Sequence, residues 1–348
     1  MEPRNQPPLA RDECLDGPLT RVLITGATGF LGSHLVAQCL ADGHDVVGTF
    51  RHTPPNNRPD SADEITPSTT QVRVGRTSYV RVDLTDPVAV NDLFRETLPE
   101  AVVHLAAQSS NSRSWSEPIR TYRDNVVAQA CVLEACMLLN PAPMTIIAGS
   151  CDEYGAASHA TSVPETAPLA PLTPYAVSKA AQDLMARQYF AARQLPALVV
   201  RPFLQIGPGR SDTFFSGAFA RQIVEIEMSK RPPVIEVGEI DLIRDMTDVR
   251  DVAKACALLL STDSACGEAF NVCSGSARPV RALLNLMLEL TGVDAEVRVR
   301  KAPHRSNEPP VLVGDPSKLK ALTGWTPLIP FSQSAEDMLQ DWRERLGP

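Results

Sequence analysis

The chain has 348 residues, 43% hydrophobic and 21% charged, an ordinary balance for a water-soluble folded protein and enough length for one large α/β domain or two lobes on a shared core. Its net charge of −8 provides no global field for nucleic acid or an anionic membrane, so an anionic ligand must be held by local arginines. Eight cysteines (14, 39, 131, 136, 151, 256, 266, 273) show no CxxC or metal spacing, and there is neither an apolar signal core nor a run of 18 apolar residues, which predicts reduced thiols and a cytoplasmic protein.

Residues 1–20 read as a loose tail. From Arg21 onward short apolar runs alternate with helical stretches. RVLITG (21–26) precedes a helix from about Leu31 to Ala41, then HDVVGTF (44–50). The Pro-, Asn- and Thr-rich stretch 52–71 reads as a surface loop. YVRVDL (79–84), a helix over 87–97, AVVHLAA (101–107), a long helix over 118–139 and MTIIAGS (144–150) continue the rhythm. Alternating apolar strands and helices predict an α/β fold with a Rossmann-type, doubly wound parallel sheet. After residue 202 come GPGRSDTFF, a helix over 214–230, the strand PVIEVG and several Pro-rich connections. This pattern predicts a smaller α/β C-terminal lobe from 203–252 and 274–348. Residues 21–202 form the first domain, which 253–273 re-enter near EAFNVCSG.

VLITGATGFLGSHL places Gly26, Gly29 and Gly32 directly after a strand and at the start of a helix. Glycines there permit a tight turn and let backbone amides approach a pyrophosphate, so a dinucleotide site is predicted, lined also by Thr28, Phe30 and Leu31. The spacing is G-x-x-G-x-x-G rather than the standard G-x-G-x-x-G. Asp83 in RVDLTD could accept from an adenine amino group or cap the helix that begins at Pro87. Where an NAD-selective site places an acid, this chain has Phe50, Arg51 and His52. Arg51 could pair with a 2′-phosphate, assisted by His52, which favours NADP(H) and leaves NAD(H) open; the bland reading of Arg51 is a solvated side chain.

In GSCDEYG (149–155), a hydroxyl and two carboxylates follow a strand end, so Ser150, Asp152 and Glu153 are all candidates for chemistry. TPYAVSK puts Tyr175 and Lys179 four residues apart on one helix face. A phenol titrates too high to exchange protons readily near neutrality, and a nearby ammonium is expected to lower it. Lysine can also hold a nicotinamide ribose. Taken alone, the pair would be an ordinary surface feature.

The glycine turn, VDLTD, HLAA, the strand-end serine and PYAVSK occur in the order of the extended short-chain dehydrogenases/reductases, a family acting largely on nucleotide sugars. The resemblance covers roughly residues 21–345. It implies Ser150, Tyr175 and Lys179 as the catalytic triad, with Leu84, Leu105, Ala106 and Ala107 beside the cofactor.

LAAQSSNSRSWSEP, FARQIVEIE, IRDMTDVRDV, NVCSG and RSNEPPVLVGDPSKLKALTGWTP further resemble the branch of GDP-mannose 4,6-dehydratases and GDP-4-keto-6-deoxymannose reductases, the reductase side more closely. Dehydratases of that branch carry a glutamate base two residues beyond the hydroxyl residue, and here Asp152 is one methylene shorter. The resemblance therefore implies reduction of the C4 keto group of GDP-4-keto-6-deoxy-D-mannose to GDP-D-rhamnose or its epimer GDP-6-deoxy-D-talose. Asp152 would then bind substrate or a backbone amide, unless it acts as a base. A dehydratase or epimerase is the alternative, and a non-catalytic dinucleotide-binding regulator a third, disfavoured by the intact Ser150–Tyr175–Lys179 set.

Ser109, Arg221, Arg244, Arg305 and Glu308 match substrate-binding positions of the branch, in keeping with the fork geometry with which arginine grips phosphate oxygens. Leu204 and Gln205 depart from its Asn-His pair, and Arg210 in the same loop could compensate. The helices over 118–139 and 175–194 resemble those that pair subunits, which implies a homodimer.

Overall fold

The computed structural model describes residues 21–51, 71–74, 77–155, 162–300 and 308–347. The N-terminal tail, residues 52–70 of the expected loop with His52, and Arg305 lie outside the described residues.

In chain order the first half comprises β1 (Arg21–Thr25), α1 (Phe30–Ala41), β2 (Asp45–Phe50), β3 (Gln71–Val74), β4 (Thr77–Arg81), α2 (Pro87–Thr97) and β5 (Ala101–His104). Next come α3 (Asn111–Ser116), α4 (Pro118–Tyr122), α5 (Ala128–Cys136), β6 (Met144–Ala148), α6 (Pro174–Arg193) and β7 (Ala197–Pro202). Together with β11 (Ala269–Val272) these strands form one eight-stranded sheet in the order β11-β7-β6-β5-β1-β2-β4-β3. Every pairing is parallel except that of the edge strand β3, antiparallel to β4. Its inner strands are predominantly apolar because both faces are covered. Val22 and Ile24 pack on one side with α1 and α8 (Val249–Leu260), while Leu23 packs on the other with α2 and α5.

The remaining elements are β8 (Leu204–Ile206), α7 (Phe215–Glu227), β9 (Val234–Val237), β10 (Ile243–Asp248), β12 (Ala277–Pro279), α9 (Val280–Thr291), β13 (Glu296–Val299), β14 (Val311–Leu312), α10 (Ser317–Thr323) and α11 (Phe331–Leu346). Strand β10 pairs with β8, β12 and β14, and β13 with β9. Here α7, α9 and α11 bury Phe219, Ile223, Leu283, Leu284 and Met338 in a separate core. No described helix is long and apolar enough to cross a membrane, and none of the seven described cysteines is disulfide-bonded.

Three expected elements differ. The long helix over 118–139 is interrupted by a π-helical turn, Arg123–Val127, between α4 and α5. Buried Asn125 sits in that turn: its Oδ1 accepts from Gln108 N (2.7 Å) and its Nδ2 donates to Ser178 Oγ (2.8 Å), bonds that a wider turn accommodates. The strand expected to reach Ala107 stops at His104, because Leu105 N and Ala106 N turn to the carbonyl and hydroxyl of Thr25 on β1. The strand expected over 79–84 runs Thr77–Arg81 and gains β3 as an antiparallel partner.

Candidate active site

The strand order reverses around β1, which lies between β2 and β5, and the crevice at the C-terminal ends of such strands is where open α/β sheets receive ligands. A cleft of about 950 Å3 opens there. Gly26 has φ +70°, and a Cβ on it would stand 2.9 Å from Ala106 N. A Cβ on Gly32 would stand 2.2 Å from Gly26 O, so the turn closes only without side chains at these positions. Gly29 caps α1 without a side-chain bond. Thr28, Phe30 and Leu31 line the same wall. This cradle at a helix N-terminus fits a dinucleotide pyrophosphate.

Leu105, Ala106, Ala107 and Ser109 form the wall beyond β5, while Arg51, Asp83 and Leu84 close the far end. Burial pushes the Asp83 carboxyl up, but hydrogen bonds from Thr85 and the charges of Arg51 and Arg123 more than offset it and hold the group below its ordinary range. Asp83 does not cap the following helix; Asp86 does, accepting from Val88 N at 2.9 Å. Arg51 is not simply solvated: it pairs with buried Asp124 at 3.0 Å, its side chain still 38% exposed.

Helix α6 starts with Thr173 Oγ1 accepting from Ala176 N (3.1 Å) and with Pro174 in its first turn, a strong N-terminal signal. That start turns Tyr175 and Lys179 into the cleft. Lys179 Nζ donates to Ala148 O at the end of β6 (2.7 Å), and burial lowers its ammonium to about 8. The expectation that Lys179 depresses the phenol is corrected. Burial, reinforced by the charge of Asp152, outweighs the hydrogen bond with Ser150 and raises Tyr175 well above its ordinary value. Tyr175 thus carries its proton at neutral pH, the state an acid needs.

The two carboxylates after Ser150 divide sharply. Glu153 has no solvent exposure; its Oε1 accepts from Ser150 N (2.6 Å) in a capping box, and it lies 3.4 Å from Arg201. Burial and the neighbouring Asp183 raise its pKa to about 8. It is a scaffold for the serine. Asp152 is half-buried and accepts from Asn111 Nδ2 (2.8 Å), while Asn111 Oδ1 accepts from Thr173 Oγ1 (2.7 Å). Asn111, Asn125 and Gln108 were not singled out in the sequence. Their signal was present: polar amides in NSR, RDNVV and AAQSS beside apolar strand and helix runs.

In the second lobe, Arg244 is buried and donates to Pro309 O (2.9 Å) and to Glu308 (3.3 Å), so those two residues meet. Arg221 on α7 is engaged by Asp212 and by Glu225 at 2.7 Å. Neither arginine lines the cleft, nor do Ser150, Asp152 and Glu308; Ser150 joins it through Tyr175. Gln205 does line it, with a buried Oε1 that has no hydrogen-bond partner among the described residues, while Leu204 packs against the second-lobe core.

A family model described as GDP-mannose 4,6 dehydratase matches residues 23–338. GDP-6-deoxy-D-mannose reductase of Pseudomonas aeruginosa is 34% identical, over 94% of this chain and 98% of its own. GDP-6-deoxy-D-talose 4-dehydrogenase of Aggregatibacter actinomycetemcomitans is 25% identical, over 87% and 91%. Among solved structures, RMD from Pseudomonas aeruginosa complexed with NADPH matches with a TM-score of 0.77 at 31% identity, covering 94% of this chain and 100% of that one. The Thermus thermophilus UDP-glucose 4-epimerase complex with NAD matches at 0.80 and 27%, covering 93% and 99%.

Proposed function

The chain belongs to the GDP-mannose 4,6-dehydratase family, within the extended short-chain dehydrogenases/reductases, and we propose that it is an NADPH-dependent reductase of GDP-4-keto-6-deoxy-D-mannose. The product is GDP-D-rhamnose or its C4 epimer GDP-6-deoxy-D-talose. The observation that carries this reading is the arrangement at the cleft: Tyr175 and Lys179 line it together with the glycine turn, while the Asp152 carboxylate is tied up by a hydrogen bond from Asn111. An elimination needs a carboxylate poised to take a carbon-bound proton; a reduction needs an acid.

NADPH, when bound, supplies the hydride that reaches C4. Tyr175 gives its proton to the oxygen that becomes the hydroxyl, and Ser150 hydrogen-bonds the same oxygen as charge develops. Lys179, anchored on Ala148 O, supports the nicotinamide ribose and the phenol. Arg51, which shares Asp124 with Arg120, would hold a 2′-phosphate. Arg244, Arg305 and Glu308, with Ser109 and Arg221, hold the sugar nucleotide, so that residues 21–202 with 253–273 serve the cofactor and 203–252 with 274–348 the substrate. A homodimer through α4, the π-turn and α6 is part of the reading, supported by the exposed apolar side chains of Ile119, Tyr122, Val127, Val177 and Leu184.

Two incubations test it. NADPH absorbance should fall with the 4-keto-6-deoxy sugar nucleotide and stay constant with GDP-mannose; a keto product from GDP-mannose without added NADPH means dehydration instead. Light scattering checks the dimer, and a monomer removes that part.

A further inference from the structure

One side chain on the wall beyond β5 spends both ends of its amide on the two segments that carry the chemistry. Asn111 opens α3, between Ser110 and Ser112, which line the cleft. Its Nδ2 donates to Asp152 Oδ2 (2.8 Å) and its Oδ1 accepts from Thr173 Oγ1 (2.7 Å). Asp152 stands two residues after Ser150, and Thr173 two before Tyr175. The partners fix which way the amide points. An ionised carboxylate only accepts, so the amide nitrogen faces Asp152. The amide oxygen then faces Thr173, whose hydroxyl donates to it while accepting from Ala176 N (3.1 Å).

The anchor is itself held. Ser114 Oγ donates to Asn111 O (2.7 Å), and Gln108 Oε1 accepts from Ser110 N (2.6 Å) while its Nε2 donates to Thr121 Oγ1 (3.1 Å). From Asn111 a ring closes. Asp152 N donates to Ser150 Oγ (3.2 Å), Ser150 hydrogen-bonds Tyr175, and Tyr175 lies in the first turn of α6, which Thr173 caps. Each link is a hydrogen bond or one or two residues of backbone, so a shift at Asn111 moves the serine and the phenol relative to each other. Misplacement on the order of 1 Å within such a pair can cost about a hundredfold in rate.

We propose that Asn111 is a positioning residue, the tether that sets the spacing between Ser150 and Tyr175, and that Asp152 serves the reaction through this amide rather than by taking a proton from the substrate. This rests on the reading that Tyr175 protonates a keto oxygen.

The test is an exchange of partners, read by steady-state turnover of the 4-keto-6-deoxy sugar nucleotide with NADPH and by melting temperature. Asn111→Asp sets two carboxylates against each other, and kcat should fall about tenfold to a hundredfold while KM for the sugar nucleotide stays within about threefold. Adding Asp152→Asn reverses the bond: the new amide donates to the new carboxylate, whose other oxygen still accepts from Thr173. The double variant should therefore recover kcat to within about threefold of wild type and melt above Asn111→Asp. A double variant as slow as Asn111→Asp overturns the proposal, because the carboxylate at 152 is then needed for its own chemistry. So does an Asn111→Asp enzyme with normal kcat, or one impaired in KM alone, which would make the pair a binding contact. If Asn111→Asp does not fold, the kcat of the double variant decides. A wild type that leaves the keto sugar unreduced overturns the function reading instead, and the tether then stands or falls on whether the double variant melts above Asn111→Asp.

Discussion

Two buried polar clusters share the segment Ser150–Tyr154 and helix α6, yet only one opens onto the cleft. Tyr175, Lys179 and Asp183 follow one another at four-residue intervals on a single stripe of α6. The first two line the cleft, whereas the Asp183 carboxylate meets Arg201 at 2.8 Å and Arg187 at 2.6 Å. Likewise Ser150 faces Tyr175, whereas Glu153 and Tyr154 turn inward: Tyr154 hydroxyl donates to Asn271 (2.7 Å) and accepts from Arg201 (2.8 Å). The inner cluster is closed, its charges answering one another. The outer cluster keeps one proton, on Tyr175, that no neighbour consumes. The same residue types within one helical stripe become architecture or chemistry according to whether their partners are already inside the protein.

Substitutions in each cluster should therefore fail differently. The largest effect is expected from Arg201→Met, which strands Glu153 and Asp183 without their shared cation. Denaturant unfolding should show a loss of about 3–5 kcal/mol, and a loss under about 1 kcal/mol would mean that the inner cluster is not what holds the fold there. Tyr175→Phe should leave unfolding and NADPH affinity near wild type while turnover falls at least about a hundredfold. Near-normal turnover would erase the contrast. A smaller change tests the far end of the cleft: Arg51→Ser should weaken NADPH about tenfold in direct titration and leave NADH nearly untouched, since only the former carries a phosphate for the arginine. Equal losses for both cofactors would make Arg51 a partner of Asp124 alone.

A pH slope tests the inner cluster from another side. Glu153 is raised from 4.5 to about 8 in the folded chain, so between those values the folded state binds more protons than the unfolded one. Its contribution to stability is therefore present at low pH and is lost as pH rises toward about 8. Chemical denaturation at several pH values should show Glu153→Gln with a shallower decline across that window, and an identical decline would indicate that Arg201 keeps the carboxylate charged throughout.

Local chemistry made much of the molecule legible from its sequence. Apolar runs separated by helical stretches announced a parallel sheet, and glycines after RVLIT announced a phosphate turn, because strand burial and backbone approach constrain residues within a few positions of one another. Pro87 and TPYAVSK likewise marked helix starts that the structure reproduces, although Asp86 and not Asp83 caps the first. The π-turn at Asn125, the end of β5 and the tie between Asp152 and Asn111 were not legible, since each depends on bonds that join residues 17 to 81 positions apart.

What the sequence determined was thus the inventory, an α/β scaffold with a glycine turn, a Tyr-x-x-x-Lys helix and a strand-end serine. Tertiary structure decided the assignments: that Tyr175 stays protonated, that Glu153 is scaffold while Asp152 stands near the phenol, and that Arg51, Arg201 and Arg244 meet carboxylates whereas Arg210 stacks on aromatic rings. The reason is physical. Periodicity and turn preference act along the chain, whereas desolvation and Coulombic pairing act through space, and only the folded arrangement says which charges have met.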